Sequence, residues 1–305
     1  MNSAPIVVIG STNTDMVIRA DHLPAPGETL LGGSFFMNPG GKGANQAVAA
    51  KRLGGDVTFI AKTGNDIFGV DALRSFIQEG IHVNYMLTDP YGPSGVALIT
   101  VDQHAENTIV VAPGANGTLS PADLDHATEV IKTAAIVLMQ LETPMETVTH
   151  AASLTASGGG LVILNPAPAC PLPEDLLRKI SIITPNETEA EMLSGITISG
   201  NDSIREAARA IRAKGVETVI ITLGAKGAYV LGKDIEQLVE APVVEAVDTT
   251  AAGDVFNGAL AAALAEGLPL IDAVEFGCHA ASISVTRLGA QAAAPYRHEI
   301  KKGST

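Results

Sequence analysis

Short unbroken runs of Val, Ile and Leu recur along the chain, separated by longer stretches with apolar residues every three to four positions. The runs are PIVVIG (5–10), VTFIAKTG (57–64), AAIVLMQLE (134–142), GLVILNPAP (160–168), ISIITPNE (180–187) and TVIITLG (218–224). Runs of this kind predict strands buried on both faces. The stretches GANQAVAAKRLGG (43–55), GVDALRSFIQEG (69–80) and SIREAARAIRAKG (203–215) predict helices, each with a glycine stop. Alternation of the two patterns predicts an α/β fold with a mostly parallel central sheet flanked by helices.

Two segments break the rhythm. Residues 12–39 and 93–112 alternate apolar with polar positions and carry Pro/Gly turns. That pattern predicts antiparallel strands with one solvated face, in a small sheet that projects from the main domain and covers its site. The main domain is then expected over residues 1–11, 40–92 and 113–305, with 12–39 and 93–112 as a β lid. An apolar outer face of the lid, read through Val17, Ile18, Phe35 and Phe36, predicts packing on a second subunit and hence a homodimer.

Ligands of open α/β sheets bind beyond the carboxyl ends of the strands. Polar residues cluster there: Asn13 and Asp15 after the first strand, then Glu142, Asn165, Asn186 and Glu189, with Gly224 after TVIITL. The familiar glycine fingerprints are missing: no G-x-x-x-x-G-K-[ST] and no G-x-G-x-x-G follows a strand. HRD and DFG kinase signatures are missing too. Two other glycine-rich regions remain, PGGKGANQAVAAKRLGG (39–55) and AVDTTAAGDVFNGALAAAL (246–264).

In the second region, small residues Ala251, Ala252 and Gly253 expose backbone amides at a helix start, a ready anion site. Asp254 among those amides is either a first-turn capping residue or a proton acceptor for a group attacking a bound phosphate. In the first region, Gly40, Gly41 and Gly43 let a ligand approach the backbone, and Lys42 and Asn45 supply donors that match sugar hydroxyls.

Charge sharpens the picture. The 305 residues include 19 Lys and Arg against 33 Asp and Glu, a net charge of −14. Such a chain repels nucleic acid and anionic membrane, so an anionic substrate needs positive potential supplied locally. The two cysteines, Cys170 and Cys278, fit neither a disulfide framework nor a zinc site. No apolar run reaches the roughly 18 residues of a membrane span, and MNSAPIVVIG has no basic flank, so a cytoplasmic chain is expected.

PGGKGANQAVAAKRLGG and DTTAAGDVFNGAL resemble the two signature regions of the PfkB family of carbohydrate and nucleoside kinases, which has the ribokinase-like fold. The resemblance covers the whole chain, with VIGSTNTD, LPAPGET, MQLE, LNPAPA, ITPNETEAE, ITLGAKG and VTRLGAQ in the expected order. It is strongest to the members that use ATP to phosphorylate D-ribose at the 5-hydroxyl, giving ribose 5-phosphate. By that resemblance Asp254 is the catalytic base, and Ala251, Ala252 and Gly253 form the anion hole. Ribose contacts fall on Asn13, Asp15, Gly41, Lys42, Asn45, Glu142 and Asp254.

The resemblance also places ATP and Mg²⁺. Asn186 and Glu189 match the family's NxxE motif, which holds magnesium through water; read alone, the pair is a capping box, and both readings stand. Thr222, Gly224 and Gly253 line ATP. Registration of FGCHAASI puts Cys278 at the adenine pocket, with His279, one step on, as a helix histidine. An activating K⁺ is implied at Asp248, Thr250, Ser284, Arg287, Gly289 and Ala293, mostly through backbone carbonyls. Two alternatives remain: a relative acting on a ribonucleoside, ketohexose or deoxy sugar, and a regulator that keeps the fold without the chemistry.

Overall fold

Successive residues of the buried strands enter two separate cores. In the computed structural model, which describes residues 3–104 and 106–300, Ile6 and Val8 join one apolar cluster while Val7 and Ile9 join the other. Ile136 and Leu138 divide from Val137 and Met139 in the same way. A strand's period of two sends alternate side chains to opposite faces, so each run of Val and Ile is a strand covered on both sides.

The strands, in chain order, are β1 (Pro5–Ile9), β2 (Asn13–Arg19), β3 (Ser34–Gly40), β4 (Asp56–Ile60), β5 (Lys62–Gly64), β6 (Leu87–Asp89) and β7 (Gly95–Val101). They continue with β8 (Asn107–Ala112), β9 (Ile136–Met139), β10 (Leu161–Leu164), β11 (Ile182–Ile183), β12 (Thr218–Thr222), β13 (Ala228–Leu231) and β14 (Glu236–Val239). The α-helices are α1 (Lys42–Arg52), α2 (Ile67–Gln78), α3 (Thr128–Thr133), α4 (Met145–Gly158) and α5 (Glu174–Leu177), then α6 (Glu187–Ser194), α7 (Asn201–Ala213), α8 (Ala252–Ala265) and α9 (Leu270–Ser284).

The central sheet has the order β14-β13-β12-β11-β10-β9-β1-β4. Its strands from β4 to β12 pair in parallel, and β13 and β14 join through antiparallel pairings. Helices α1, α2, α8 and α9 contribute to one core, and α3 to α7 to the other. The predicted strands and helices are all present, and no helix among the described residues is long and apolar enough to cross a membrane.

A second sheet, β3-β2-β7-β8, stands apart from the first. Its hairpins β2–β3 and β7–β8 are antiparallel as expected, but they join through a parallel β2–β7 pairing, so the sheet is mixed. The register also divides the four residues expected on its outer face. Val17 pairs with Phe36 and Ile18 with Phe35. Adjacent residues point to opposite faces, so Val17 and Phe36 lie on the face of Asp15, where Val17 is buried and Phe36 half-buried. The other face carries Ile18, Phe35, Met37, Leu98 and Val110, all exposed.

Two close backbone approaches place the site. Gly41, at φ 89°, starts α1 so near the preceding loop that a Cβ would stand 2.7 Å from Thr12 Cα. Gly258 does the same between helices: a Cβ there would lie 2.7 Å from Gln46 O and Ala50 N. Alpha-helices α1 and α8 therefore pack nearly backbone to backbone, bringing the first turn of each together beyond the carboxyl ends of the strands.

Candidate active site

Asp254 is buried in the first turn of α8. Its carboxylate accepts one amide hydrogen on each oxygen: Asn45 Nδ2 donates to Oδ2 at 2.9 Å, and Gln46 Nε2 donates to Oδ1 at 2.9 Å. Burial pushes this carboxyl up from its ordinary value, against the pull of Lys42 and the two amides. A basic carboxylate held in one orientation suits proton transfer. Asn45 Oδ1, also buried, has no hydrogen-bond partner among the described residues. A buried acceptor left unpaired is costly, and a ligand hydroxyl would satisfy it.

The turn before Asp254 differs from a simple row of amides. Ala251 is a left-handed residue, φ 59°, and Ala252 N–H donates to Thr249 O at 3.2 Å. Ala252 N–H thus already has a partner, while Gly253 is exposed with open space beside its Cα. A pocket of about 190 Å³ gathers Lys42, Asn165, Asn186, Glu189, Thr222, Ala251, Ala252, Gly253, Asp254 and Asn257. Gly224 follows β12 at the start of a short 3₁₀ turn, exposed and at φ 56°.

Lys42 is the cation of this pocket. Burial pulls its ammonium down, but the carboxylates of Asp254, Glu142 and Glu189 together outweigh burial and hold it above its ordinary value. It stays charged at neutral pH, supplying the local positive potential that the acidic chain requires.

Asn13 and Asp15 follow β1 and form the start of β2. Asn13 Oδ1 accepts from Asn116 Nδ2 at 2.8 Å, which leaves its own amide N–H groups for a ligand. Burial, with Glu142 and Asp254 nearby, raises the Asp15 carboxyl to about 6. Glu142 Oε2 accepts from Ser11 Oγ at 2.5 Å and from Lys42 N–H at 3.0 Å. It thereby caps α1 from outside the helix, where the dipole favours an anion; both bonds fall on Oε2, and Oε1 has none among the described residues.

Asn186 and Glu189 form the capping box read from the sequence: Asn186 Oδ1 accepts from Glu189 N–H at 2.8 Å, and Glu189 Oε2 accepts from Asn186 N–H at 2.9 Å. Both also line the pocket. Burial raises the Glu189 carboxyl. One amide and one carboxylate are too few to strip Mg²⁺ of its water, so the pair fits magnesium bound through water.

Asp248 ties two loops together. Its Oδ1 accepts from Thr250 N–H and its Oδ2 from Gly289 N–H, each at 2.9 Å, and Val285 O accepts from Val247 and Asp248 N–H. Burial opposes ionisation here, but the hydrogen bonds of Thr250 and Gly289 win and lower its carboxyl below the ordinary value. Ser284 is buried at the end of α9, Ala293 is buried beyond it, and Arg287 pairs with Glu299. No cluster of three His, Cys, Asp or Glu side chains stands ready for a metal among the described residues. An ionised carboxylate with neighbouring backbone carbonyls is a hard oxygen set that fits K⁺.

Cys278 lies elsewhere. It is buried in the apolar core of α9, its thiol pushed up to about 12 by burial and Glu275, and it is not among the residues of the Asp254 pocket. His279 is half-buried. Residues of the site that had not been singled out include Gln46, Gln140, Ser11, Asn116 and Asn257. Gln46 carried a signal, a second amide directly after Asn45 and just before the small apolar run AVAA of α1. Asn116 carried none, meeting Asn13 across 103 positions.

A buried carboxylate at a helix start, one lysine and a surround of polar side chains form a pocket suited to phosphoryl transfer to a hydroxylated small molecule. The chain belongs to the pfkB family of carbohydrate kinases, whose model matches residues 3–297. It is 46% identical over 294 residues to the ribokinase of Haemophilus influenzae, covering 96% of each chain. It is 40% identical over 291 residues to the deoxyribokinase of Salmonella typhi, covering 95% of each. The Arabidopsis thaliana ribokinase complexed with ribose and ATP matches the fold with a TM-score of 0.93, 31% identity and 98% coverage of each chain.

Proposed function

We propose that this carbohydrate kinase transfers the γ-phosphoryl group of ATP to the 5-hydroxyl of D-ribose, giving ribose 5-phosphate and ADP. The observation that carries the reading is Asp254: a buried carboxylate beside Lys42, oriented by Asn45 and Gln46, in a chain 46% identical to a ribokinase. The C5 oxygen bonds to the γ-phosphorus as the bond from that phosphorus to the leaving ADP oxygen breaks. The hydroxyl proton passes to Asp254, in the transition state rather than before it.

Asn13, Asp15, Gly41, Lys42, Asn45 and Glu142 hold the sugar, and Asn45 Oδ1 accepts one of its hydroxyls. Buried polar groups of this kind penalise a sugar that lacks a matching hydroxyl. The amides of Ala251, Gly253 and Asp254 carry the anion hole, with Ala252 shaping the turn through Thr249. Thr222 and Gly224 line ATP. Cys278 meets adenine through its helix backbone, its thiol being buried in the core. Magnesium, held through water by Asn186 and Glu189, neutralises phosphate charge when bound; potassium fits the Asp248 loop with Thr250, Ser284, Arg287, Gly289 and Ala293.

The β3-β2-β7-β8 sheet acts as a lid that brings Asn13 and Asp15 to the sugar and excludes water. Its exposed apolar face, Ile18, Phe35, Met37, Leu98 and Val110, is covered by a second copy in a homodimer. A cytoplasmic setting suits both substrates.

A second reading, transfer to deoxyribose, is favoured by the 40% identity to a deoxyribokinase. Turnover with ATP against ribose, deoxyribose, fructose and adenosine separates the two. Ribose is expected to give the highest kcat/KM; a tenfold advantage for any other acceptor overturns the reading.

A further inference from the structure

Two buried amides form a one-way chain that ends on Asp254, and a third, Asn165, accepts from the same donor. Gln140, directly after β9, donates from Nε2 to Gln46 Oε1 at 2.6 Å. Gln46 donates from Nε2 to Asp254 Oδ1 at 2.9 Å and to Asn165 Oδ1 at 3.1 Å. Gln46 and Gln140 are 0% and 1% exposed, so water cannot substitute for either bond. We propose that Gln46 is a positioning residue for Asp254, and that Gln140 decides which end of the Gln46 amide faces the carboxylate.

The direction of the chain follows from counting donors. Turned over, Gln46 would set its carbonyl oxygen against two further acceptors, Asp254 Oδ1 and Asn165 Oδ1, with no hydrogen between them. Its NH₂ group would then face the NH₂ group of Gln140. Gln140 Oε1 lies against Gly10, directly after the adjacent strand β1, in space that a Cβ there would overlap. That oxygen has no partner among the described residues. A buried carbonyl left unpaired costs free energy, which is tolerable only if the orientation serves another purpose. With Gln46 on Oδ1 and Asn45 on Oδ2, the carboxylate plane is fixed from both sides and its other lone pairs remain for the incoming proton.

The proposal rests on Asp254 as the base, and the test separates the two. Charged groups around Asp254 are Lys42, Glu142, Glu189 and Asp15, all left in place. In Gln46→Met, similar in length but without donors, kcat should fall about 30-fold with the ribose KM within about threefold, as expected for loss of orientation and charge tuning. Loss of a donor raises the carboxyl further, so the acid limb of the kcat profile should move up by about one pH unit. Gln140→Met, remote from substrate, should move both quantities the same way by less.

Asp254→Asn is the control. If it turns over at the parental rate, the base assignment itself falls. If it is inactive while Gln46→Met and Gln140→Met keep the parental acid limb and kcat within about twofold, the base stands and the positioning role is overturned. Should Gln46→Met melt before assay, Gln140→Met decides alone by its pH profile.

Discussion

Asp15 and Gly40 lie diagonally across the β2–β3 hairpin, two pairs removed from register, and the Asp15 carboxylate occupies the space a Cβ on Gly40 would fill. The glycine is required by a side chain, not by its backbone, which is ordinary strand.

Gly40→Ala therefore should fold normally, because the group it displaces is the free end of a carboxylate. The displaced oxygen is a proposed sugar contact, so the ribose KM should rise about tenfold, the equivalent of one lost hydrogen bond of about 1.4 kcal/mol, with kcat nearly unchanged. Steady-state kinetics and a melting curve on one preparation check both halves.

Asp15 itself has a carboxyl raised from 3.8 to about 6. Protonation below that value removes an acceptor, so the ribose KM should climb as pH falls from about 7 to 5, and Asp15→Asn should abolish that slope. The stability effect has the opposite sense to a salt-bridged aspartate. A raised folded pKa means a penalty that is absent below about 4 and complete above about 6. Asp15→Asn should therefore be more stable than the parent at pH 7.5, by about 3 kcal/mol, and equal to it near pH 4. Denaturant melts at the two pH values measure this.

For Asn186 the cap and the metal role can be pulled apart. Asn186→Ser keeps an N-cap acceptor, so the melting temperature should hardly move, while the Mg²⁺ concentration for half-maximal rate should rise several-fold. Asn186→Ala should show the same magnesium effect together with a loss of about 1 kcal/mol.

On the lid, Phe35→Asp places a charge in the exposed apolar face of Ile18, Met37, Leu98 and Val110. Sedimentation velocity should find a dimer for the parent and a monomer for the variant. A dimer in both would remove this face from the interface.

Much of this was legible in the sequence wherever a local rule governs. The strands declared themselves because burial on both faces leaves only Val, Ile and Leu, and Asn186 with Glu189 read as a capping box because its partners are three residues apart. Asp254 and Asn45 stood out through the glycine-rich turns beside them. What stayed hidden depends on distance in the chain. Glu142 caps α1 across 100 positions, and Gln140 reaches Gln46 across 94. The division of Val17 from Ile18 between two lid faces needed the strand register, since both are apolar and adjacent. The occupied amide of Ala252 depends on the left-handed turn at Ala251, which glycine-poor letters do not announce.

If Asp254 takes the proton of the sugar hydroxyl as phosphoryl transfer occurs, single-turnover formation of ribose 5-phosphate must slow in Asp254→Asn relative to the parent, with Mg²⁺, K⁺ and saturating ATP and ribose. Asparagine keeps the shape and removes the proton acceptor, and a general base contributes about 10² to 10⁴ in rate. The rate is expected to be at least about 100-fold slower with ribose and ATP still bound; a rate within about threefold of the parent would rule out Asp254 as the base.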